Sequence, residues 1–248
     1  MSNIENTLTK ELENVAEYFD DNDLIINLSK GKTEAMLFGT NKRLSKQNRN
    51  LLVKYKNVPV QNTNSYQYLG HTVDPALNLQ ETFNSAYKKA ANRTKLLVKL
   101  RSHVDQKTAF TIFNSTILPI LVYMGSIKLQ FTKTQEQRLH SLERRISSIA
   151  GRSVPSTINL IKKQSCAAVK RCLENDTCYN YTKYFQINEH NLNTRNKNIL
   201  IKLPRYKLEY GKKSFKYVAA KWYNELPIPI RTTNGKDFYK KVKDHFIY

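Results

Sequence analysis

The adjacent carboxylates of Asp20 and Asp21, which follow Phe19, are the first residues in this sequence whose types could do chemistry. Two neighbouring carboxylates can hold a pair of magnesium ions for nucleotidyl transfer when a strand–turn–strand hairpin presents them. The preceding residues do not predict such a hairpin, because apolar residues recur at steps of three and four through 4–19. We therefore expect an amphipathic helix that ends at the Asp pair, where the negative end of the helix dipole disfavours carboxylates. The pattern argues against a catalytic metal site.

Three cysteines, Cys166, Cys172 and Cys178, are the candidates for redox chemistry or for binding a soft metal. An odd number cannot pair completely, and five residues separate each cysteine from the next, unlike the two-residue spacing of a zinc knuckle. His190 lies too far along the chain to complete a familiar set of zinc ligands. We therefore predict a reducing compartment and buried thiols rather than a disulfide scaffold or a metal site.

Basic residues dominate the charge, with 41 Lys and Arg against 20 Asp and Glu, a formal net charge of +21. Residues 1–27 contain seven acidic residues against Lys10 alone, a net charge of −6, which leaves +27 for the remainder. Binding to a polyanion releases its condensed counterions, so an excess of this size favours RNA, DNA or an RNA–DNA hybrid as the partner. The alternative is a charged surface that serves only solubility.

The first 75 residues predict one helix followed by short strands. Apolar runs at Leu24–Leu28 and Thr33–Phe38 flank a basic turn, and each predicts a strand. Alternating apolar and polar residues predict further strands within Leu51–Val60 and Ser65–Val73. The period of the apolar residues then changes from two to nearly four, which indicates a boundary near residue 75.

Three helices are predicted after this boundary, the first of which has an apolar side and a separate polar, basic stripe. The apolar side comprises Phe83, Tyr87, Ala90, Leu97 and Leu100, and the stripe comprises Lys88, Asn92, Lys95 and Lys99. Asp105 is placed to cap the second helix, whereas Thr134 and Gln137 form a capping box for the third, which ends at Gly151. Three arginines recur every seven residues near the third helix: Arg138, Arg145 and Arg152.

The segment Ala109–Ile127 contains no charged residue and is about long enough to cross a membrane. Polar residues interrupt it, so a buried core helix, kinked or broken near Pro119, is the better interpretation. The opening residues, Met1–Lys10, are polar and do not resemble a signal peptide. We expect no membrane partner, and a location in the nucleus or cytoplasm rather than secretion.

The C-terminal residues predict a mixed region. A helix is expected over Thr157–Leu173, whereas Tyr179–Lys202 is aromatic, polar and basic without a clear period. Ser214 is placed to cap a further helix, which Leu226–Pro229 ends. The apolar residues of a last short helix are Phe238, Val242 and Phe246.

Several motifs, in their order along the chain, resemble the C-terminal part of a non-LTR (LINE-type) retrotransposon reverse transcriptase. Val15–Phe19, Asn22 and Leu24–Thr40 are similar to the segment that follows the catalytic hairpin in that family. Tyr66-Gln67-Tyr68-Leu69-Gly70 resembles its primer-grip motif. Pieces similar to the tail of such elements are Ile117–Leu121, Thr194–Asn196, Lys202–Pro204, Ser214-Phe215 and Asn224–Pro227. The resemblance therefore runs nearly end to end.

This resemblance implies roles for particular residues. Lys32, or alternatively Lys30, corresponds to the palm lysine near the departing pyrophosphate, which it would neutralise or protonate. The residues that would shape the primer grip are Tyr66, Tyr68, Leu69 and Gly70, of which Leu69 is expected in the core and Gly70 would let the backbone approach the primer. The residues that would contact nucleic acid are Lys88, Asn92, Lys95, Lys99, Arg138 and Arg145.

The expected architecture is α+β and mostly helical. Residues 1–75 would form a truncated palm edge of short antiparallel strands with a primer-grip hairpin, residues 76–152 a helical thumb, and residues 153–248 a mixed region. The family's fingers, its aspartate-bearing motifs with their Mg²⁺ and its endonuclease are expected outside this sequence, so no cofactor and no polymerase activity are expected for this chain alone. Three classes stay open: an inactive polymerase fragment, a basic nucleic-acid-binding module, and an interaction subunit that completes a separate polymerase portion.

Overall fold

The computed structural model describes residues 2–46, 50–125, 127–174, 184–187 and 200–247. These residues are mostly helical and include a few short strands, which confirms the α+β class expected from the sequence. The chain divides into two compact units, 1–82 and 83–248. The first unit ends a little after the change of period near residue 75. Each unit has its own apolar core.

Among the described residues, helices are found in both units and make up most of the second. They are α1 (Ser2–Asp20), α2 (Asn41–Lys46), α3 (Gln80–Leu100), α4 (Gln106–Ile112), α5 (Leu118–Met124), α6 (Lys133–Ala150), α7 (Thr157–Leu173), α8 (Glu209–Lys213), α9 (Phe215–Glu225), α10 (Ile228–Arg231) and α11 (Gly235–Ile247). A π-helical segment, Phe113–Ile117, joins α4 to α5. The strands are β1 (Glu34–Ala35), β2 (Lys54–Tyr55), β3 (Val58–Pro59), β4 (Gln61–Asn62), β5 (Tyr66–Tyr68) and β6 (His71–Val73).

The strands of the first unit are shorter than the sequence predicts. The predicted strand Leu24–Leu28 is wrong, because these residues pair with no described strand, and Ile25 is 89% exposed. Within Thr33–Phe38 only β1 forms, and it pairs in parallel with β4 rather than in the expected antiparallel sense. The pairs β2–β3 and β5–β6 are antiparallel hairpins. Apolar runs this short become strands only where the backbone of another strand lies beside them. The pattern of apolar residues along the sequence does not predict where such a partner will lie.

The segment Ser65–Val73 turns back on itself as a two-stranded hairpin. Leu69 and Gly70 form the two-residue turn between β5 and β6, with φ values of +47° and +80°. Two-residue hairpin turns of this kind require positive φ at both central positions, which Gly70 adopts without strain. The expectation that Leu69 lies in the core is therefore wrong, because the turn leaves its side chain 70% exposed.

The core of the second unit is built from α3 to α6, much as the sequence predicts. Asp105 caps α4 by accepting a hydrogen bond from the Thr108 backbone N–H at 3.1 Å. Hydrogen bonding with the Thr108 side chain, and then with this N–H, lowers the pKa of the Asp105 carboxyl. The capping box of α6 lies two residues earlier than expected, at Thr132 and Gln135, because Thr132 has the extended backbone that an N-cap requires. Gly151 ends α6 with φ +64°, as predicted.

The uncharged stretch around Pro119 is a buried, interrupted helix, which confirms the interpretation made from its polar residues. Its buried residues include Ala109, Phe113, Ile117 and Leu121. Proline has no N–H and its ring crowds the carbonyl four residues earlier, and the π-helical segment ends just before Pro119. Among the described residues, none of the helices is long and apolar enough to cross a membrane.

A second cluster of apolar side chains joins the C-terminal helices. Cys166 and Val169 of α7 pack there with Ala219 and Tyr223 of α9 and with Phe238 of α11. The predicted helix Thr157–Leu173 and the Ser214 cap of α9 are confirmed. The predicted features Thr194–Asn196, Cys178 and His190 lie outside the described residues.

Candidate nucleic-acid interface

The outer side of α3 carries the basic stripe predicted from the sequence. Lys88, Asn92, Lys95 and Lys99 are all exposed. At about 100° per residue they fall within about 60° of the helix circumference. Phe83, Ala90 and Leu97, which are 0%, 0% and 1% exposed, face the core from the other side. Leu100, which the sequence assigns to the apolar side, is 46% exposed because it lies at the end of the helix.

The charges of this stripe are not neutralised by neighbouring carboxylates. The helix carries five basic residues, and Glu81 in its first turn is its one acidic residue. Lys88, Lys95 and Lys99 form no ion pair with any described residue. Three ammonium groups on one face, about one or two turns apart, can contact successive phosphates of a nucleic-acid backbone.

Two further cations on α3 were not assigned a role from the sequence. Lys89 and Arg93 are exposed, on the flank between the stripe and the buried side. The Arg93 guanidinium donates a hydrogen bond to the backbone carbonyl of Thr116, which holds Arg93 beside the π-helical segment. The helical period gives their angle relative to the stripe, but the contact with Thr116 joins residues distant in sequence, so it could not be predicted.

The arginines near α6 differ in their surroundings. The Arg138 guanidinium lies 5.2 Å from the ring centre of Phe83 and 4.1 Å from that of Tyr87, and it donates a hydrogen bond to Asn84 Oδ1 at 3.3 Å. These contacts orient Arg138, since a guanidinium attracts the negative face of an aromatic ring. Arg145 is exposed and forms no ion pair in the described part of the chain.

Arg152, the third arginine of the repeat, stacks 3.3 Å from the ring centre of Phe110. A position seven residues along a helix returns to nearly the same face, but Arg152 lies beyond Gly151, where the helix has ended. The repeat in the sequence therefore does not produce a row of three equivalent cations.

The net charge of the chain resides in the second unit. Residues 1–82 contain 9 Lys and Arg against 10 Asp and Glu, a net charge of −1. Residues 83–248 contain 32 against 10, a net charge of +22. The first unit is nearly neutral rather than acidic, because the basic residues 30–56 balance the acidic residues 5–23 within one folded unit. We therefore expect residues 83–248 to provide the electrostatic attraction to a polyanion.

In the first unit, the structure brings together three residues that the family resemblance singles out. The Tyr66 hydroxyl donates a hydrogen bond to the Lys32 carbonyl at 2.9 Å. Both residues line a groove of about 690 Å³, together with Tyr68 and apolar side chains of α1 such as Leu8. Tyr68 is 60% exposed on the β5–β6 hairpin. The hairpin at the predicted primer-grip motif is confirmed; a role in binding a primer stays a prediction.

The Asp pair occupies the helical context that the sequence predicts. Asp20 is the last residue of α1 and Asp21 lies in the following turn. The Asp20 carboxylate forms an ion pair with Lys56 Nζ at 3.2 Å, and both side chains are exposed. A hairpin able to present both carboxylates to the same pair of metal ions is therefore not built around them.

The described cysteines differ in burial. Cys166 is 0% exposed, and this burial raises the pKa of its thiol to about 12, so it stays protonated. Cys172 is partly buried, and burial raises the pKa of its thiol as well. In the described ranges no cluster of three or more His, Cys, Asp or Glu side chains is arranged to hold a metal ion.

Comparisons of the chain with protein-family models, with curated proteins and with solved structures found no match. The interpretation of the site therefore rests on the chemistry and geometry of its own residues.

Proposed function

We propose that this chain is part of a reverse transcriptase of the non-LTR retrotransposon type and that it holds nucleic acid rather than performing the chemistry. The observation that carries the nucleic-acid half of this proposal is the basic face of α3. It presents Lys88, Lys95 and Lys99 to solvent without an acidic partner in the described part of the chain, on a unit whose net charge is +22. In the terms of the family resemblance, α3 would be the thumb helix that follows the template–primer duplex.

The mode of binding follows from the chemistry of this face. Lysine contacts phosphate as a point charge and carries no base-reading geometry, so binding through these residues is insensitive to sequence. The apolar side of α3 is fixed in the core by Phe83, Ala90 and Leu97, so the face is rigid before nucleic acid arrives. A rigid face loses little side-chain and backbone freedom on binding, which favours affinity.

The proposal is tested by removing the positive charges of the basic face of α3 and measuring the affinity for nucleic acid. Lys88→Gln, Lys95→Gln and Lys99→Gln combined should lower the affinity for an RNA–DNA hybrid. The slope of log affinity against log salt should shrink by about two or three units, because each lost phosphate contact removes about one. The folded state should hardly change, since exposed charges contribute little to stability. Fluorescence anisotropy across a salt series measures both quantities.

A matched control removes the same charge from the other unit. Lys10→Gln, Lys42→Gln and Lys54→Gln change three exposed lysines of residues 1–82. This variant should keep the slope of the parent protein. Equal binding by the parent and the α3 variant at every salt concentration would exclude α3 as the interface, and Lys212, Lys213, Lys240 and Lys241 would be changed next. A flat salt dependence of the parent itself would remove the whole proposal.

The second candidate function is an interaction subunit, and the surface of the first unit favours it. Several large apolar side chains are exposed there, including Leu8 at 42%, Phe38 at 52% and Tyr68 at 60%, all around the groove. Exposed apolar patches of this kind mark binding surfaces on soluble proteins. An upstream reading frame that encodes a Tyr-x-Asp-Asp motif would favour the polymerase proposal over a free-standing module.

A further inference from the structure

A pocket opens on the second unit between α5 and α7, away from the basic stripe of α3. Its volume is about 590 Å³, within the usual range for small-molecule sites. Leu118 and Val122 form one wall, and Leu160 and Ile161 form the other. Gly125 lets the two helices meet at one end, because a Cβ on this residue would lie 2.5 Å from the Ile161 side chain.

The chemistry of the lining selects a flat, uncharged ligand with polar edges. Among the described residues, no charged side chain lines the pocket. The rings of Tyr123 and Phe215 offer surfaces for stacking, and the side-chain amides of Asn114 and Gln164 lie at exposed positions of the rim. A phosphate would have to give up its hydration in this apolar space without a compensating cation, so it is excluded. A nucleobase meets each of these conditions, because it stacks on aromatic rings and pairs its edge with amides.

We propose that this pocket binds one unpaired nucleobase of the same nucleic acid whose backbone α3 holds. The proposal rests on the proposed function and adds the recognition of an extruded or single-stranded nucleotide to it. Bases splayed out of a helix are commonly recognised by stacking on aromatic side chains together with hydrogen bonds to their edges. The pocket supplies both kinds of contact within one unit of the protein.

Arg93 lies on the same unit as the pocket and contacts the helical segment that supplies Asn114 to its lining. Its guanidinium is bonded to the carbonyl of Thr116 in this segment. Arg93 and Lys89 are exposed on the flank of α3. Together with the Lys88 stripe, these two cations can hold the phosphates of the strand whose base enters the pocket. The net charge of +22 on this unit matches such a ligand and disfavours a cationic one.

The geometry of the pocket depends on the interrupted helix. The π-helical segment Phe113–Ile117 inserts a wider turn before Pro119, with Asn114 inside it and Leu118 directly after it. Wide turns of this kind recur at functional sites. Here the amide of Asn114 comes from the π-helical segment, and Leu118 and Val122 come from the α-helix that follows it.

The experiment compares two oligonucleotides of equal charge. Both are RNA–DNA hybrids with a one-nucleotide bulge, which carries a base in one and is abasic in the other. The parent protein should bind the base-bearing hybrid about ten-fold more tightly, as expected when one base stacks on aromatic rings. The double variant Tyr123→Ala, Gln164→Ala should bind both hybrids with the affinity that the parent has for the abasic one. Both positions are exposed, so this variant should remain folded.

Control variants separate the two proposals. Tyr18→Ala with Gln137→Ala makes the same chemical changes at exposed positions outside the pocket and should keep the ten-fold preference. The triple lysine variant of α3 should weaken binding of both hybrids and leave their ratio unchanged. Equal binding of the two hybrids by a parent protein with a steep salt dependence would overturn the pocket proposal and leave the proposed function standing. Loss of all salt dependence would instead remove the proposed function.

A competition experiment tests whether the pocket binds a base within a strand or a free nucleotide. Adenosine monophosphate at millimolar concentration should not displace the bulged hybrid, because a free nucleotide lacks the backbone contacts with α3. Displacement that the Tyr123→Ala, Gln164→Ala variant abolishes would show a site for free nucleotides and overturn binding within a strand. A base preference that persists in this variant would also overturn the proposal, since the base would then be recognised elsewhere.

Discussion

At the residue scale, Leu96 and Leu97 show how sharply α3 separates its two sides. They are neighbours in the chain, yet Leu96 is 59% exposed and Leu97 is 1% exposed. The helix rotates the chain by about 100° per residue, so neighbours point in different directions. The sequence places Leu97, Ala90 and Phe83 on one face, and their burial confirms this reading.

We predict that Leu97→Ala destabilises the protein by about 2–5 kcal/mol, because it removes buried apolar contacts and leaves a cavity in the core. Leu96→Ala removes the same atoms from solvent-exposed surface and should change the free energy of unfolding by less than about 0.5 kcal/mol. Urea unfolding followed by circular dichroism measures both variants. Similar losses in the two would show that α3 does not pack through the Leu97 side.

At the element scale, the start of α7 is fixed by a residue of another helix. Ser156 precedes α7, but its side chain makes no capping hydrogen bond. Instead the carboxylate of Glu143, which lies on α6 and is 7% exposed, accepts a hydrogen bond from the Thr157 backbone N–H at 2.7 Å. A carboxylate at this position also interacts favourably with the positive end of the helix dipole. The other Glu143 oxygen contacts His140 Nδ1 at 3.2 Å.

Glu143→Ala should therefore cost about 1–3 kcal/mol, because it leaves a buried backbone N–H without its partner. His140→Ala should cost much less, since the His140 side chain is more than half exposed and an exposed ion pair contributes about 0–1 kcal/mol. Thermal unfolding of both variants, with hydrogen exchange at the Thr157 amide, tests this difference. Unchanged protection of that amide in Glu143→Ala would contradict the capping role.

At the scale of the whole molecule, the two units differ in charge and in exposed apolar surface. The first unit is nearly neutral and exposes apolar side chains, whereas the second carries a net charge of +22. Under the proposed function, we therefore expect the second unit to attract a polyanion and the first unit to offer an apolar contact surface.

We predict that the purified chain performs no RNA-templated DNA synthesis. The reason is that Asp20 and Asp21 lie at the end of α1 rather than on a hairpin, and that Asp20 is paired with Lys56. A primer-extension assay with magnesium or manganese should show no product above the level without enzyme. Templated extension that Asp20→Asn or Asp21→Asn abolishes would show that this carboxylate pair is catalytic after all.

The sequence by itself determined the longer helices and the buried face of α3, whereas the short helices α2, α8 and α10 were not predicted. The predicted helices follow from hydrogen bonds four residues apart and, at the start of α4, from the cap Asp105, and both are local properties of a short stretch of sequence. The basic stripe is equally local, since residues three and four apart share a face. These features of the fold and of the candidate site could therefore be predicted.

The tertiary structure alone decided features that join residues distant in the chain. It left Leu24–Leu28 without a strand partner, stacked Arg138 on Phe83 and Tyr87, and assigned the capping of α7 to Glu143. The pocket between α5 and α7 exists only because α7 packs beside the interrupted helix before it. Each of these features depends on which segments pack against each other in the folded protein. The periodicity of one segment does not predict which other segment will pack against it.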